Sequence, residues 1–178
     1  MTTINTASNL SRLTLKSFKT VRWMSEETIC FTATVVLDGK VIGTASNEGH
    51  GGSTFVHYIS DIAKADALAF AKSISPADVK GWEFLADSGF DFDNLVDIAV
   101  ERKDSEAQTK KLVAKVRRDA VKKVMFLKTT TPKRAYHQFK NVTEANAAAA
   151  IMSAKATPDF KCLVTSMTDE EIIEWFIA

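Results

Sequence analysis

At 178 residues, with 46% hydrophobic and 25% charged side chains, the chain has the size and composition of a folded globular protein. That excludes global disorder and fibrous or repeat architectures. Its formal charge of +1 gives no whole-molecule field that would steer it to nucleic acid or to an anionic membrane, so any electrostatic function has to come from a local patch.

Residues 1–11 are polar, rich in Thr, Ser and Asn, and read as a flexible tail, neither a secretory signal nor a membrane anchor. Leu13, Leu15, Phe18, Val21 and Trp23 open a strand-rich region. Thr28–Leu37 alternates as a strand, with Ile29, Phe31, Ala33 and Val35 on one face. Asp38-Gly39 then separates it from Lys40–Ala45, and Asp-Gly between two apolar runs predicts an antiparallel hairpin. After a glycine-rich turn, Thr54–Ile59 reads as a third strand. Its period of two places Phe55, His57 and Ile59 on one face and Thr54, Val56 and Tyr58 on the other.

Helical spacing follows over Asp61–Ser73, with Ile62, Ala65, Leu68, Ala69 and Lys72 in phase. Ser75-Pro76 predicts a helix start, and with it a short helix over Pro76–Asp87. A long helix is expected from Asp93 to Lys122, with a break near 103–105. Its acidic beginning and basic end suit the helix dipole. Val124–Lys128 is a strand, Arg134–Lys140 is extended, and Thr143–Ala156 is a helix capped by Thr143. Phe160–Thr165 is a strand. Thr168–Phe176 is a helix opened by a Thr168/Glu171 capping box. The fold class is therefore α+β: an N-terminal antiparallel β-meander packed with helices, then a β-α-β-α tail. Residues 12–178 are expected to form one domain, with a subdivision near residue 60 as the alternative.

Five of the seven glycines fall between Gly39 and Gly52. The densest part, Asn47-Glu48-Gly49-His50-Gly51-Gly52-Ser53, has two readings. As a turn, Asn47 and Gly49 supply left-handed positions between strands and His50 lies on the surface. As a recognition loop, its backbone N–H groups, with His50 and Ser53, cradle a phosphate, a carboxylate or an acidic side chain of a partner. His57 on the outgoing strand reads as a core-edge histidine, or as a second contact if the loop folds back over it. The segment is neither GxGxxG nor GxxxxGK[ST], and no helix follows it directly. A Ser53 nucleophile served by His50 or His57 lacks an orienting acid at a suitable spacing, so a catalytic reading ranks below a binding one.

Lys111, Lys115, Arg118 and Lys122 recur at spacings of four, three and four, which puts them on one helix face. Leu112, Val113, Val116 and Ala120 form the opposite, core-facing stripe. Such a face is either a solvated surface or a site for nucleic-acid backbone, and no aromatic residues interleave it for base stacking. Asp87, Asp91, Asp93 and Asp97 lack EF-hand spacing and read as helix N-terminal acids. Trp23, Trp82 and Trp175 read as core or core-edge aromatics. No metal-ligand spacing and no cofactor motif occurs. No apolar run approaches the roughly 20 residues of a membrane span. With Cys30 and Cys162 in apolar stretches and no CxxC pair, a reduced, cytoplasmic setting is expected.

The string Asp38-Gly39-Lys40-x-x-Gly43-x-x-x-Asn47-x-Gly49-His50-Gly51-Gly52, followed by Phe55 and Tyr58, resembles a segment of small phage and bacterial proteins that have no assigned activity. The resemblance covers about residues 28–60 and, more loosely, 169–176. It implies a phage or mobile-element accessory protein in the host cytoplasm, and it brings no residue roles. Residue reading and resemblance together point to a non-enzymatic binding protein. It would engage a host protein or a small anionic ligand through Asn47, Gly49, His50, Gly51, Gly52, Ser53 and His57. The alternative is a nucleic-acid-associated protein using Lys111, Lys115, Arg118 and Lys122, and homo-oligomerisation is compatible with either.

Overall fold

A computed structural model describes residues 9–79, 81–82 and 90–177. The fold is α+β, and its contacts group into two compact units that divide between Asp104 and Ser105. The alternative boundary near residue 60 instead falls inside the first unit, where Ser60 joins a strand to a helix.

In the first unit, β1 (Leu13–Thr20), β2 (Phe31–Leu37), β3 (Lys40–Asn47) and β4 (Phe55–Tyr58) form an antiparallel sheet in sequence order. The hairpin at Asp38-Gly39 is present, with φ of 48° and 78°, the doubly positive turn that matches strand twist. Leu37 pairs with Lys40. A bulge between Val35 and Val36 then shifts the register, so that Val35 faces Gly43. Residues 9–12 are a 3-10 turn that buries Leu10, so only the first part of the expected tail lies outside the described residues.

Helix α1 (Asp61–Ser73) has the expected bounds, and the Ser60 hydroxyl caps it by accepting the Ala63 N–H at 3.1 Å. Its buried face is Ala63, Ala67, Phe70 and Ala71, whereas Ile62 and Leu68 are exposed. The expected phase is thus rotated. Alanines let the helix approach its neighbours closely, and Phe70 fills the remaining space edge-on to Phe92. Of the helix expected over Pro76–Asp87, the described part is only a 3-10 turn, Pro76–Asp78, closed by a Ser75/Asp78 capping box; residues 80 and 83–89 lie outside the described residues. Leu13, Leu15, Phe31, Val35, Phe92, Leu95, Val96 and Val100 form the centre of this unit's core.

Helix α2 (Phe92–Lys123) runs without the expected break, and the division between the units falls within it. In the second unit, β5 (Met125–Lys128) lies between β6 (His137–Gln138) and β7 (Phe160–Leu163), antiparallel to both. Helix α3 is shorter than expected, Ala147–Lys155, because Thr143 turns before it. The Thr143 N–H donates to Asn146 Oδ1 at 2.6 Å, and Asn146 takes the N-cap position. Helix α4 (Asp169–Phe176) opens with the expected reciprocal cap: the Thr168 N–H donates to Glu171 at 2.8 Å and the Glu171 N–H to Thr168 at 3.2 Å. Val113, Val116 and Ala120 of α2 pack with Leu127, Val164 and Ile172 in the core of this unit. Among the described residues no helix is long and apolar enough to cross a membrane. Both cysteines are free, Cys30 buried and Cys162 half-buried.

Candidate functional site

The glycine turn is built around Asn47, whose side chain is buried although it is fully polar. Burial of an amide is tolerable only if its bonds are made. Asn47 Oδ1 accepts the Gly49 N–H at 2.8 Å and the Thr28 hydroxyl at 2.9 Å. Its Nδ2 donates to the Gly52 carbonyl at 2.9 Å and to the Thr54 hydroxyl oxygen at 3.3 Å. One side chain therefore holds both ends of the turn and ties them to the segment before β2.

That segment was expected to be strand from Thr28 onward. Instead β2 begins at Phe31, and residues 21–30 form a loop closed by the Val21 N–H donating to the Cys30 carbonyl at 2.9 Å. The backbone N–H groups of Glu26, Glu27 and Thr28 converge on the carbonyl of Gly49 at 2.9, 3.1 and 3.3 Å. A nest of three amides does occur here, but the glycine turn supplies its acceptor rather than its donors. Gly49 and Gly51 spend their own N–H groups inward, on Asn47 and on the Thr28 hydroxyl. Two of the amides expected to cradle a small anion, those of Gly49 and Gly51, are thus engaged by side chains of the protein itself.

His50 is exposed, and its Nδ1 lies 3.1 Å from a Glu26 carboxylate oxygen. Ser53 is exposed and is not a partner of His50 among the described residues. His57 sits opposite Thr44 on the exposed face of β4 with Phe55, and Ile59 just past the strand is exposed as well, which corrects the reading of His57 as a core-edge residue. Strand alternation placed these three together, and the structure puts the core on the other side, where Thr54 is buried. Trp23 is likewise no core aromatic. It is 84% exposed in a 3-10 turn, Arg22–Met24, that Arg22 ties to α2 through Asp104 at 2.7 Å.

Beside the turn lies a cleft of about 370 Å³. Its lining includes Ser25, Thr28, Asn47 and Gly52 from the two loops, apolar Ile29, Phe31, Trp82 and Val100, and the carboxylates of Glu26, Glu27, Asp97 and Glu101. Among the described residues no lysine or arginine lines it. The described part of the expected Asp87–Asp97 acid group is divided by this arrangement. Asp91 and Asp93 stay at the start of α2, as helix N-terminal acids do, whereas Asp97 faces the cleft. Thr54, which accepts from Asn47, donates its hydroxyl hydrogen to Asp97 Oδ1. Burial pushes the Asp97 carboxyl above the usual carboxylate range; the Thr54 bond opposes that shift, while Asp93 and Glu101 add to it by repulsion. Burial likewise raises Asp93, with Asp91 adding to the shift.

Sequence reading therefore found the turn but missed Glu26, Glu27, Thr28, Thr54, Trp82 and Glu101. Only the Glu26-Glu27 pair carried a visible signal, as two adjacent acids ahead of an apolar strand. Among the described residues no group of three or more His, Cys, Asp or Glu side chains is placed to hold a metal ion.

On α2 of the second unit, Lys111, Lys115, Arg118 and Lys122 are all exposed, as helical spacing predicts. None forms an ion pair within 4 Å among the described residues. Their helix neighbours Arg117 and Lys123 do, with Asp169 at 2.6 Å and Asp119 at 3.8 Å. Comparison of the chain with protein-family models, with curated proteins and with solved structures yields no match.

Proposed function

We propose that this chain is a binding protein whose cleft beside the glycine turn receives a basic side chain of a partner protein. The observation that carries this reading is the sign of the cleft: among the described residues its lining combines four carboxylates with apolar side chains that include Trp82, and holds no cation. Guanidinium and ammonium groups are attracted both to carboxylates and to aromatic faces, and the partly desolvated Asp97 strengthens such a pair. Trp23, exposed two residues before cleft-lining Ser25, suits a protein partner better than a free small cation, since exposed tryptophans are frequent anchors of interfaces. The glycine turn is then the scaffold of the site, holding residues 26–28 in place, and His50 is an accessory that shares Glu26. A host protein as the partner follows from the resemblance of residues 28–60 alone.

The test is titration calorimetry of the full chain with an arginine-rich peptide, its lysine counterpart and a glutamate-rich peptide. Binding of the basic peptides, weakened at least tenfold by Glu26→Gln with Glu27→Gln, supports the reading. Equal binding of basic and acidic peptides, or none, overturns it.

A further inference from the structure

The formal charge of +1 conceals an uneven distribution. Residues 1–104 carry 10 Lys and Arg against 14 Asp and Glu, a net of −4, and residues 105–178 carry 13 against 8, a net of +5. The second unit is therefore a cationic body in its own right. Within it α2 presents Lys111, Lys115, Arg118 and Lys122 as one exposed stripe free of ion pairs among the described residues, while Arg117 and Lys123 are paired. The stripe spans 11 residue steps, about 16 Å of helix. Successive phosphates of one strand follow each other about every 3.4 Å along a duplex axis, so a stripe of this length faces several of them.

From this we infer that the Lys111–Lys122 face of the second unit binds the phosphate backbone of duplex nucleic acid, without reading sequence. Two features select this occupant. A basic helix that lies on a membrane needs its apolar face free to enter the lipid, but here Val113, Val116 and Ala120 are packed into the core of their own unit. A single strand is held by aromatic side chains on which bases stack, and no Trp, Tyr or Phe lies among residues 105–123. A straight row of long cationic side chains on a rigid helix is left with regularly spaced phosphates as its complement. This surface is independent of the acidic cleft and stands or falls separately from it.

Fluorescence anisotropy of the full chain with labelled 24-base-pair DNA and RNA duplexes of arbitrary sequence tests the assignment. Contacts from four cations predict that log affinity falls against log salt with a slope of about −3 to −4. Lys115→Gln with Arg118→Gln should lower affinity at least tenfold and flatten the slope by about 2, since each lost phosphate contact removes about 0.9. These positions are exposed, so the variant should keep the circular dichroism of the parent. Lys140→Gln with Lys155→Gln, exposed cations of the same unit that do not belong to α2, should bind as the parent does. The inference is overturned by a flat salt response, by equal losses in the two double variants, or by tighter binding to the single strand. It is also overturned if vesicles of phosphatidylserine and phosphatidylcholine, not duplexes, capture the chain, or if the stripe variant changes only the oligomeric state.

Discussion

The hydroxyl of Thr54 donates to the carboxylate of Asp97, a residue 43 positions further along the chain. This bond joins the exit of the glycine turn to α2, and through Asn47 it extends to Thr28, which also lines the cleft. Turn, entry loop and helix are thereby one hydrogen-bonded assembly, and its properties can be tested at single residues.

Asn47→Ala removes four side-chain hydrogen bonds and leaves the Gly49 N–H and the Gly52 carbonyl without their partner. At about 1 kcal/mol per bond, the expected loss is about 3–4 kcal/mol of folding stability. Asn47→Asp keeps the acceptor but cannot donate to Gly52, so it should fall between the two. Urea unfolding of the three proteins checks the order, and equal midpoints would show that the network is not what holds the turn.

Gly49 and Gly52 are separated by only two residues and should respond in opposite ways to alanine. Gly49 has φ of +91°, and a Cβ there would lie 2.1 Å from the Met24 carbonyl oxygen. Gly49→Ala is expected to cost about 3 kcal/mol or more, from left-handed backbone together with a clash against main chain. At Gly52 a Cβ meets nothing within 4 Å, and Gly52→Ala should change stability by less than about 0.5 kcal/mol. Thermal unfolding of the two variants separates a glycine needed by the turn from one that is not.

Asp97 gives the cleft a distinctive pH response. Burial raises its pKa in the folded protein. The proton is therefore held more tightly in the folded state, and the associated stabilisation is complete below the unfolded value and lost as pH rises through the raised folded value. Asp97→Asn removes that dependence while leaving an oxygen to accept from Thr54. The difference in Tm between variant and parent should thus shift in favour of the variant as pH rises from the acid range to neutrality. Binding of the arginine-rich peptide should run the other way, weakening in the parent as pH falls through the raised Asp97 value. A Tm difference independent of pH would contradict the burial of this carboxyl.

Arg22 neutralises Asp104, which is only 7% exposed, through contacts of 2.7 and 3.0 Å. Arg22→Ala leaves a buried charge without this partner and should cost about 2 kcal/mol, less than a fully buried pair because the Arg22 side chain is 55% exposed. Arg22→Ala with Asp104→Asn should recover part of the loss in a denaturation experiment. Failure to recover any would place the cost in the turn itself.

Local rules were sufficient wherever a residue answers to neighbours within a few positions. The Asp38-Gly39 hairpin, the bounds of α1 and the Thr168/Glu171 cap were legible because φ preference, helical period and reciprocal capping act over two to four residues. The stripe of Lys111, Lys115, Arg118 and Lys122 was legible for the same reason. Burial was not, since alternation groups Phe55, His57 and Ile59 without saying which side of the sheet the core occupies. Equally, Ile62 and Leu68 look like core residues of α1 until close packing selects its alanines.

By itself, then, the sequence determined the turn, its glycines and its place between β3 and β4. Tertiary structure decided the character of the site. Thr28, Asn47, Thr54 and Asp97 come from distant stretches of chain, and only folding brings them within hydrogen-bond reach. That contact engages the Gly49 and Gly51 N–H groups of the turn and sets the Asp97 carboxylate beside it. A loop that by itself reads as an anion cradle thereby also lines a cleft with Glu26, Glu27, Asp97 and Glu101, the arrangement on which the proposed recognition of a basic side chain rests.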